Sequence, residues 1–439
     1  MARRNFIFST IRRNFECFGF LPLETPSFEN LDTLTGKYGE EGDQLIYKIL
    51  NSGDFLKKAD EDALQERNSK KLAPSISDKA LRYDLTVPFA RFVVMNRNDI
   101  SFPFRRYQLQ PVWRADKPQK GRYREFYQCD VDIIGSDSLL NEMELIQISD
   151  VILSDLKIPG FAIHINHRKI LNGLAEVAGC AERLTDMTVV IDKLDKVGKA
   201  GVLSELERKN FSSPSLRMIS DFLAIDGTNT ERLGHLRKLL SSSEAGLKGI
   251  DEMEFLISYC HELGIKEGKV VLDVTLARGL NYYTGTIFEV KVANVAVGSI
   301  CGGGRYDDLT GIFGWQGISG VGISFGADRV YDVMNELNLF PDAVDKAYKV
   351  LFLNFGSSEE KICMRWLSAC RGAGIRSEIY PEAAKIKKQM KYANDNGFSR
   401  VVIAGSSEIE AGKVKVKEME SGLEAEVAVE NLVHFLSAL

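Results

Sequence analysis

The sequence predicts an α+β protein: an antiparallel sheet with flanking helices, interrupted by a helical insertion domain and followed by a separate α/β domain. Three observations carry this. First, β-rich runs follow one another at Leu81–Phe89, Phe104–Arg114 and Arg124–Ile134, as in an antiparallel sheet with one long connection. Second, from about residue 165 to 265 the chain turns to helices rich in Leu, Lys and Glu, and strand-like sequence then returns at 269–276, 282–292 and 296–301. A chain that leaves a sheet, builds about 100 helical residues and returns describes a domain inserted into a discontinuous one. Third, from Ala347 strands (Val350–Leu353, Arg400–Ala404) alternate with helices (Glu359–Cys370, Ala383–Asn394), the pattern of an α/β unit of about 90 residues with a mostly parallel sheet.

The elements follow in order. Phe8, Ile11, Phe15 and Phe18 recur at helical spacing, so 3–18 reads as an amphipathic helix that Gly19 stops. Residues 51–79 are polar and aperiodic and read as a long surface loop. Residues 138–156 read as a helix, with Leu139, Leu140, Met143, Ile146, Ile148 and Ile152 on or near one face. The helical stretch has a polar break at Asp226-Gly227-Thr228-Asn229, and Pro341-Asp342-Ala343 is the expected linker to the last unit. The discontinuous sheet domain then spans 1–164 and 266–340, the insertion 165–265 and the last domain 347–439.

A chain of 439 residues exceeds what one hydrophobic core serves, in keeping with several domains. Apolar residues at 44% and charged residues at 27% are those of a soluble globular protein. No apolar run approaches a membrane span of about 18 residues, and the basic start lacks the cleavage site of a signal peptide. The seven cysteines are scattered and none forms a zinc-like pair, which points to a reduced, cytoplasmic compartment. His164 and His167 lie three apart with no further ligand nearby, so no metal site is read. A net charge of −5, from 56 basic and 61 acidic residues, argues against a nucleic-acid coat but leaves room for local basic strips.

Five clusters carry chemistry. Val112–Phe126 is a hairpin-like segment whose Lys/Pro/Gly loop holds four cations after Arg114. It is either a solvated basic turn or a strand end that offers a guanidinium to a phosphate. On the following strand Gln128, Asp130 and Asp132 share one face, while Tyr127, Cys129 and Val131 face a core. Such a strand lines a pocket for a cationic or hydrogen-bonding ligand. A second strand, Leu81–Pro88, would put Arg82, Asp84 and Thr86 on one face. Leu276–Thr286 reads as a strand with a glycine bulge. In Cys301–Asp307 three glycines either admit a flat ligand such as adenine to the backbone or relieve a tight bend. In Gly320–Arg329 a glycine-punctuated strand runs into a helix, with Arg329 in the opening turn. None matches a P-loop or a dinucleotide fingerprint.

In this order the clusters resemble the histidyl-tRNA synthetase family over essentially the whole chain. Glu24–Glu29 is similar to class II motif 1, a dimer-interface segment; 105–135 is similar to motif 2 and 320–334 to motif 3, with Arg114 and Arg329 as the class-defining arginines. Leu276–Thr286 and Cys301–Asp307 are similar to the two motifs peculiar to the family, and 347–439, with Lys385–Ala393, resembles the class IIa anticodon-binding domain. The resemblance implies a cytoplasmic homodimeric ligase that activates L-histidine with ATP and Mg²⁺ and passes it to tRNA(His), the sheet domain being catalytic. It implies that Arg114 and Arg278 hold the α-phosphate from opposite sides, with Arg114 also at the histidine carboxylate. Arg122 and Arg329 would hold the β,γ-phosphates, and Gly302, Gly303 and Gly304 would flank the ATP. Histidine would be bound by Asp84, Thr86 and Gln128 at its α-amino group and by Asp132 and Tyr283 at the imidazole nitrogens, with Leu85, Tyr282 and Arg278 also in its site. Lys117, Gln119, Lys387 and Lys388 would meet tRNA. In two places the chain departs from the pattern. It starts at the first helix where members usually carry a short strand before it, a departure expected to weaken the dimer or the floor of the site. Asn281 also stands where many members carry Asp, and no catalytic role is carried onto it. The rival readings are a non-catalytic regulatory subunit of ATP phosphoribosyltransferase and a class IIa ligase for another amino acid. The first typically lacks the last domain and the arginine-bearing motif, both present here; the Arg278–Tyr283 run argues against the second.

Overall fold

The computed structural model describes residues 1–36, 39–266, 268–277, 282–345 and 349–437. Two compact units emerge, one of Arg4–Leu339 and one of Phe340–Leu439 with Met1–Arg3, so the division falls next to Pro341.

In the larger unit, helix α1 (Ala2–Cys17) buries Ile7, Ile11, Asn14 and Phe15; of the expected stripe Ile11 and Phe15 are buried, while Phe8 and Phe18 are half-buried. Short strands β1 (Leu21–Pro22), β2 (Phe28–Asn30), β3 (Lys48–Ile49) and β4 (Lys79–Leu81) follow. The segment expected to be a loop holds two short helices, Glu61–Gln65 and Ser69–Ile76. Asp60 and Asn68 cap them by accepting from Ala63 N and Lys71 N, local signals that an aperiodic pattern hides.

The expected strand Leu81–Phe89 is a correction. It ends at Leu81, and Thr86–Met95 is helix α2. Asp84 Oδ1 accepts from Val87 N at 3.1 Å, and Pro88 sits in the first turn, where a missing N–H costs nothing. The apolar run Val87–Val93 reads like a strand, but it is the buried face of a short helix in the core with Leu34, Ile134, Tyr306 and Leu309.

The hairpin of β5 (Phe104–Trp113) and β6 (Glu125–Ile134) is the spine of the main sheet. Helix α3 (Leu140–Asp155) and β7 (Phe161–His167) follow, then helices α4 (Arg168–Val177), α5 (Leu184–Ile191), α6 (Leu194–Arg208), α7 (Ser213–Phe222), α8 (Asn229–Leu239) and α9 (Glu244–Glu262). Strands β8 (Val270–Leu272), β9 (Thr286–Val292), β10 (Cys301–Tyr306) and β11 (Gly320–Gly326) lead into helix α10 (Ala327–Glu336). A strand was expected at 296–301; β10 instead begins at Cys301, so the glycine run lies inside a central strand.

The eight strands are ordered β1-β5-β6-β11-β10-β9-β7-β8. All pairs are antiparallel except β1 with β5 and β7 with β8 at the edges. Helix α3 packs against β7 and β11 on one side. On the other, Phe89 of α2 lies over the Arg106 guanidinium at 4.2 Å. Because β6 is central, both of its faces are covered.

In the smaller unit, β12 (Val350–Phe352), helix α11 (Ser357–Gly372), β13 (Ser377–Ile379), helix α12 (Ile386–Asp395) and β14 (Arg400–Ile403) precede the hairpin β15 (Lys413–Glu418) and β16 (Glu424–Ala428). The order is β13-β12-β14-β15-β16. Only the β12 pairings are parallel, so the sheet is mixed where a mostly parallel one was expected. The closing hairpin, joined by a tight turn, makes its strands antiparallel.

Candidate active site

A cavity of about 490 Å³ opens over the middle of the main sheet, between β6, β10 and β11 and the segment Tyr83–Thr86. The register sets its floor. Reading across β5, β6, β11, β10 and β9, one row is Gln108, Asp130, Ser324, Gly302 and Glu289, and the next is Arg106, Asp132, Gly322, Gly304 and Ile287. Directly paired residues point to the same side, so each row presents one chemical surface.

The structure brings to this cavity Asp84, Thr86, Arg114, Arg122, Gln128, Tyr282, Tyr283, Gly302, Gly303 and Arg329. Tyr282 Oη donates to Asp84 Oδ2 at 3.1 Å. Arg114 Nε donates to the Tyr83 carbonyl at 3.1 Å, and its guanidinium lies 4.2 Å from the Tyr83 ring and 5.2 Å from Phe126. A planar cation stacked and pinned at one edge has few ways to reorient. Arg329, in the opening turn of α10, donates to Gly121 O at 2.8 Å and to Ser299 O at 2.6 Å, tying the hairpin tip to the approach to β10. Gly121 has φ +73°, the left-handed turn conformation the tip requires, with Gln119 and Arg122 bridged across it.

Three expected residues do not reach the wall. Leu85 is fully buried in the core. Asp132 sits behind the wall, paired with Arg106 at 2.8 Å and accepting from Tyr306 Oη at 2.7 Å. Gly304 is covered by Tyr283, whose ring would lie 2.9 Å from an added Cβ. Arg82 does not share a face with Asp84 and Thr86. It is buried and donates to Thr25 O, Gln110 Oε1 and Pro111 O, binding the Glu24–Glu29 segment to β5. Burial lowers its pKa to about 10, still a cation at neutral pH.

The three glycines divide by cause. A Cβ on Gly303 would lie 2.1 Å from Gly322 O, so that glycine answers to strand packing. A Cβ on Gly302 would meet only Phe288 O at 3.6 Å, so the space beside it belongs to the cavity. Arg278, Gly279, Leu280 and Asn281 lie outside the described residues. Lys117 and Gln119 are on the exposed hairpin loop, and Lys387 and Lys388 are on α12 in the smaller unit.

Sequence reasoning missed Asp116, Tyr123, Glu289, Ser299, Ser324 and Asp328, which also line the cavity. For Glu289 the signal was a lone carboxylate in the apolar strand Thr286–Val292. For Ser324 it was the only hydroxyl in a strand otherwise of Gly, Val, Ile and Phe. Two carboxylates, Asp130 and Asp132, lie buried beside the Arg106 guanidinium, and a third buried carboxylate, Asp84, acts on both as a like charge. Burial, opposed by Arg106 and reinforced by Asp132, pushes Asp130 up to about 7. The floor is thus built to receive positive charge, and the rim, with Arg114, Arg122 and Arg329, to receive negative charge.

The two histidines three apart pair with carboxylates within the fold: His164 Nδ1 meets Asp273 at 2.9 Å and His167 Nε2 meets Glu252 at 2.6 Å. Among the described residues no three His, Cys, Asp or Glu gather as a metal site, and no helix is long and apolar enough to cross a membrane.

Residues 54–330 match the family model described as Histidyl-tRNA synthetase, and 349–439 match that of the Anticodon binding domain. A Histidine–tRNA ligase of Bacteroides fragilis is 54% identical over 437 residues, covering 100% of this chain and 96% of its own length. One from Christiangramia forsetii is 55% identical over 423 residues, 96% of this chain and 93% of its own. The crystal structure of histidyl-tRNA synthetase from Nostoc sp. PCC 7120 superposes with a TM-score of 0.83 at 32% identity, over 99% of this chain and 95% of that one.

Proposed function

The chain belongs to the histidyl-tRNA synthetase family, and from that premise we propose that the cavity over the main sheet is where it activates histidine. The chain is a histidine–tRNA ligase with a class II synthetase fold and a C-terminal anticodon-binding domain. Its domains are read as catalytic (1–164 and 266–340), helical insertion (165–265) and anticodon-binding (347–439). The observation that carries the reading is the polarity of the cavity, acidic floor and arginine rim, which suits one ligand with an ammonium group and another with a triphosphate.

In the first step a histidine carboxylate oxygen attacks the α-phosphorus of ATP, the bond to the bridging oxygen breaks, and pyrophosphate leaves. Both reactants are anions, so catalysis consists of neutralising charge and fixing geometry. Arg114, stacked and pinned, holds the α-phosphate and the carboxylate. Arg122 and Arg329 meet the β,γ-phosphates, and adenine lies along Gly302. Asp84, Thr86 and Gln128 receive the α-ammonium, Tyr282 and Tyr283 close on the imidazole, and Asp132 acts from beneath the wall. Arg278 takes the far side of the α-phosphate on the strength of its motif. Mg²⁺ would arrive with the triphosphate as part of the substrate. Such an ion takes only one or two protein carboxylates, and Glu289 on the floor fits that part. In the second step the terminal adenosine hydroxyl of tRNA attacks the adenylate carbonyl and AMP leaves.

Lys117 and Gln119 project from the hairpin to meet the acceptor end, and Lys387 and Lys388 on α12 meet the RNA backbone. Homodimer formation is supported by the motif 1 segment and the strand β1 before it, where Phe28 and Leu21 are 58% and 60% exposed. The seven free cysteines are in keeping with a reduced cytoplasmic setting. Single-turnover adenylation with Arg114→Ala or Arg278→Ala should slow by roughly 10²–10³-fold with thermal unfolding unchanged. An unchanged rate in either variant removes that arginine from the reaction.

A further inference from the structure

Ser324 has one hydroxyl hydrogen and two polar neighbours. Gln128 Nε2 donates to Ser324 Oγ at 2.8 Å. Asp130 stands directly opposite Ser324 across β6 and β11, and the nearby hydroxyl favours its ionised form, as a donor would. Above about pH 7, where Asp130 is ionised, its carboxylate can only accept. The Ser324 hydrogen therefore goes to Asp130, its oxygen accepts from Gln128, and the Gln128 amide is fixed with its nitrogen toward Ser324. The amide oxygen is left pointing elsewhere. It is buried without a partner, on a side chain that is 9% exposed and lines the cavity. An amide oxygen held that way attracts a donor, and a cationic donor most strongly.

We propose that Asp130 and Ser324 are positioning residues that act through Gln128, holding its amide so that only the acceptor faces the α-ammonium of histidine. This rests on the reading in which Gln128 meets the α-amino group. The chain of donors has a direction. With Asp130 gone, the Ser324 hydroxyl is free to donate to a flipped Gln128 oxygen, and the amide nitrogen would then face the ammonium, donor against donor. An Asn at 130 keeps an acceptor oxygen for Ser324 and with it the orientation.

Two ligands separate this from packing. Histidinol keeps the ammonium and lacks the carboxylate, and 3-(imidazol-4-yl)propionate lacks the ammonium. Their dissociation constants are to be measured by calorimetry at pH 8 for the full chain and for S324A, D130A, D130N and Q128A. S324A and D130A should weaken histidinol roughly 10-fold or more, the worth of a hydrogen bond to a charged group. They should leave the propionate nearly unchanged, and D130N should recover most of the histidinol affinity lost in D130A. Equal weakening of both ligands overturns the proposal, because a packing defect does not distinguish them. If Q128A removes the preference for histidinol while S324A and D130A keep it, the relay is wrong and the Gln128 assignment stands. If Q128A itself keeps the preference, the assignment fails and the relay with it. Should D130A not fold, S324A and D130N still decide.

Discussion

The Arg305 guanidinium and the Glu142 carboxylate form a buried two-bond pair across 163 residues of sequence. Nε reaches Oε1 at 2.5 Å and Nη2 reaches Oε2 at 2.6 Å. Arg305 also donates to Ser136 O, Ser138 O and Ser319 Oγ, so one side chain ties β10 to α3 and to the turn after β6. Breaking a buried pair from one side strands the other charge, at about 3–5 kcal/mol. R305M should therefore lower stability by about that much in urea unfolding, and adding E142L should recover part of it. A double variant less stable than R305M would show that the pair is not the cause.

Asp130 gives a pH dependence with a definite sign. Burial carries its carboxyl from 3.8 up to about 7, so between those values the folded chain holds a proton that the unfolded chain releases. The stability this adds is complete below about 4 and disappears as pH rises through about 7. D130N cannot ionise, so its advantage in unfolding temperature over the parent should be larger at pH 8 than at pH 5. Parallel stability curves would contradict the assignment.

The glycines of β10 should separate by mutation. G302A adds a methyl to the ligand space and leaves the strand alone, so it should fold normally and raise the KM for ATP. G303A drives a methyl into Gly322 O and should cost about 1–3 kcal/mol or more of stability. Circular dichroism melts beside exchange kinetics read both. The reverse pattern would move adenine away from Gly302.

These contrasts bear on how much the sequence disclosed. The β5–β6 hairpin and the placement of Arg329 at the start of a helix were legible, because alternation and a strand-to-helix change are local patterns. The switch to helix at Thr86 was not, since a short buried helix and a buried strand share one apolar composition. Alternation put Asp132 on the right face of β6 but could not show that Arg106 and Tyr306 occupy it. Nor could it tell Gly302, open to the cavity, from Gly303 and Gly304, closed by neighbours from distant sequence. Ser324 and Glu289 were single polar residues in apolar strands, and only the cross-strand register gives them meaning.

The central claim is that this cavity activates histidine, and amino-acid-dependent ATP–pyrophosphate exchange tests it most directly. With each of the standard amino acids supplied in turn, exchange should occur with histidine and with no other. A site that hydrogen-bonds its substrate's ring discriminates against analogues lacking the partners by about 10⁴-fold or more. D84A should raise the histidine KM and leave that for ATP unchanged. Exchange driven by a different amino acid, or none at all from the folded protein, would contradict the account.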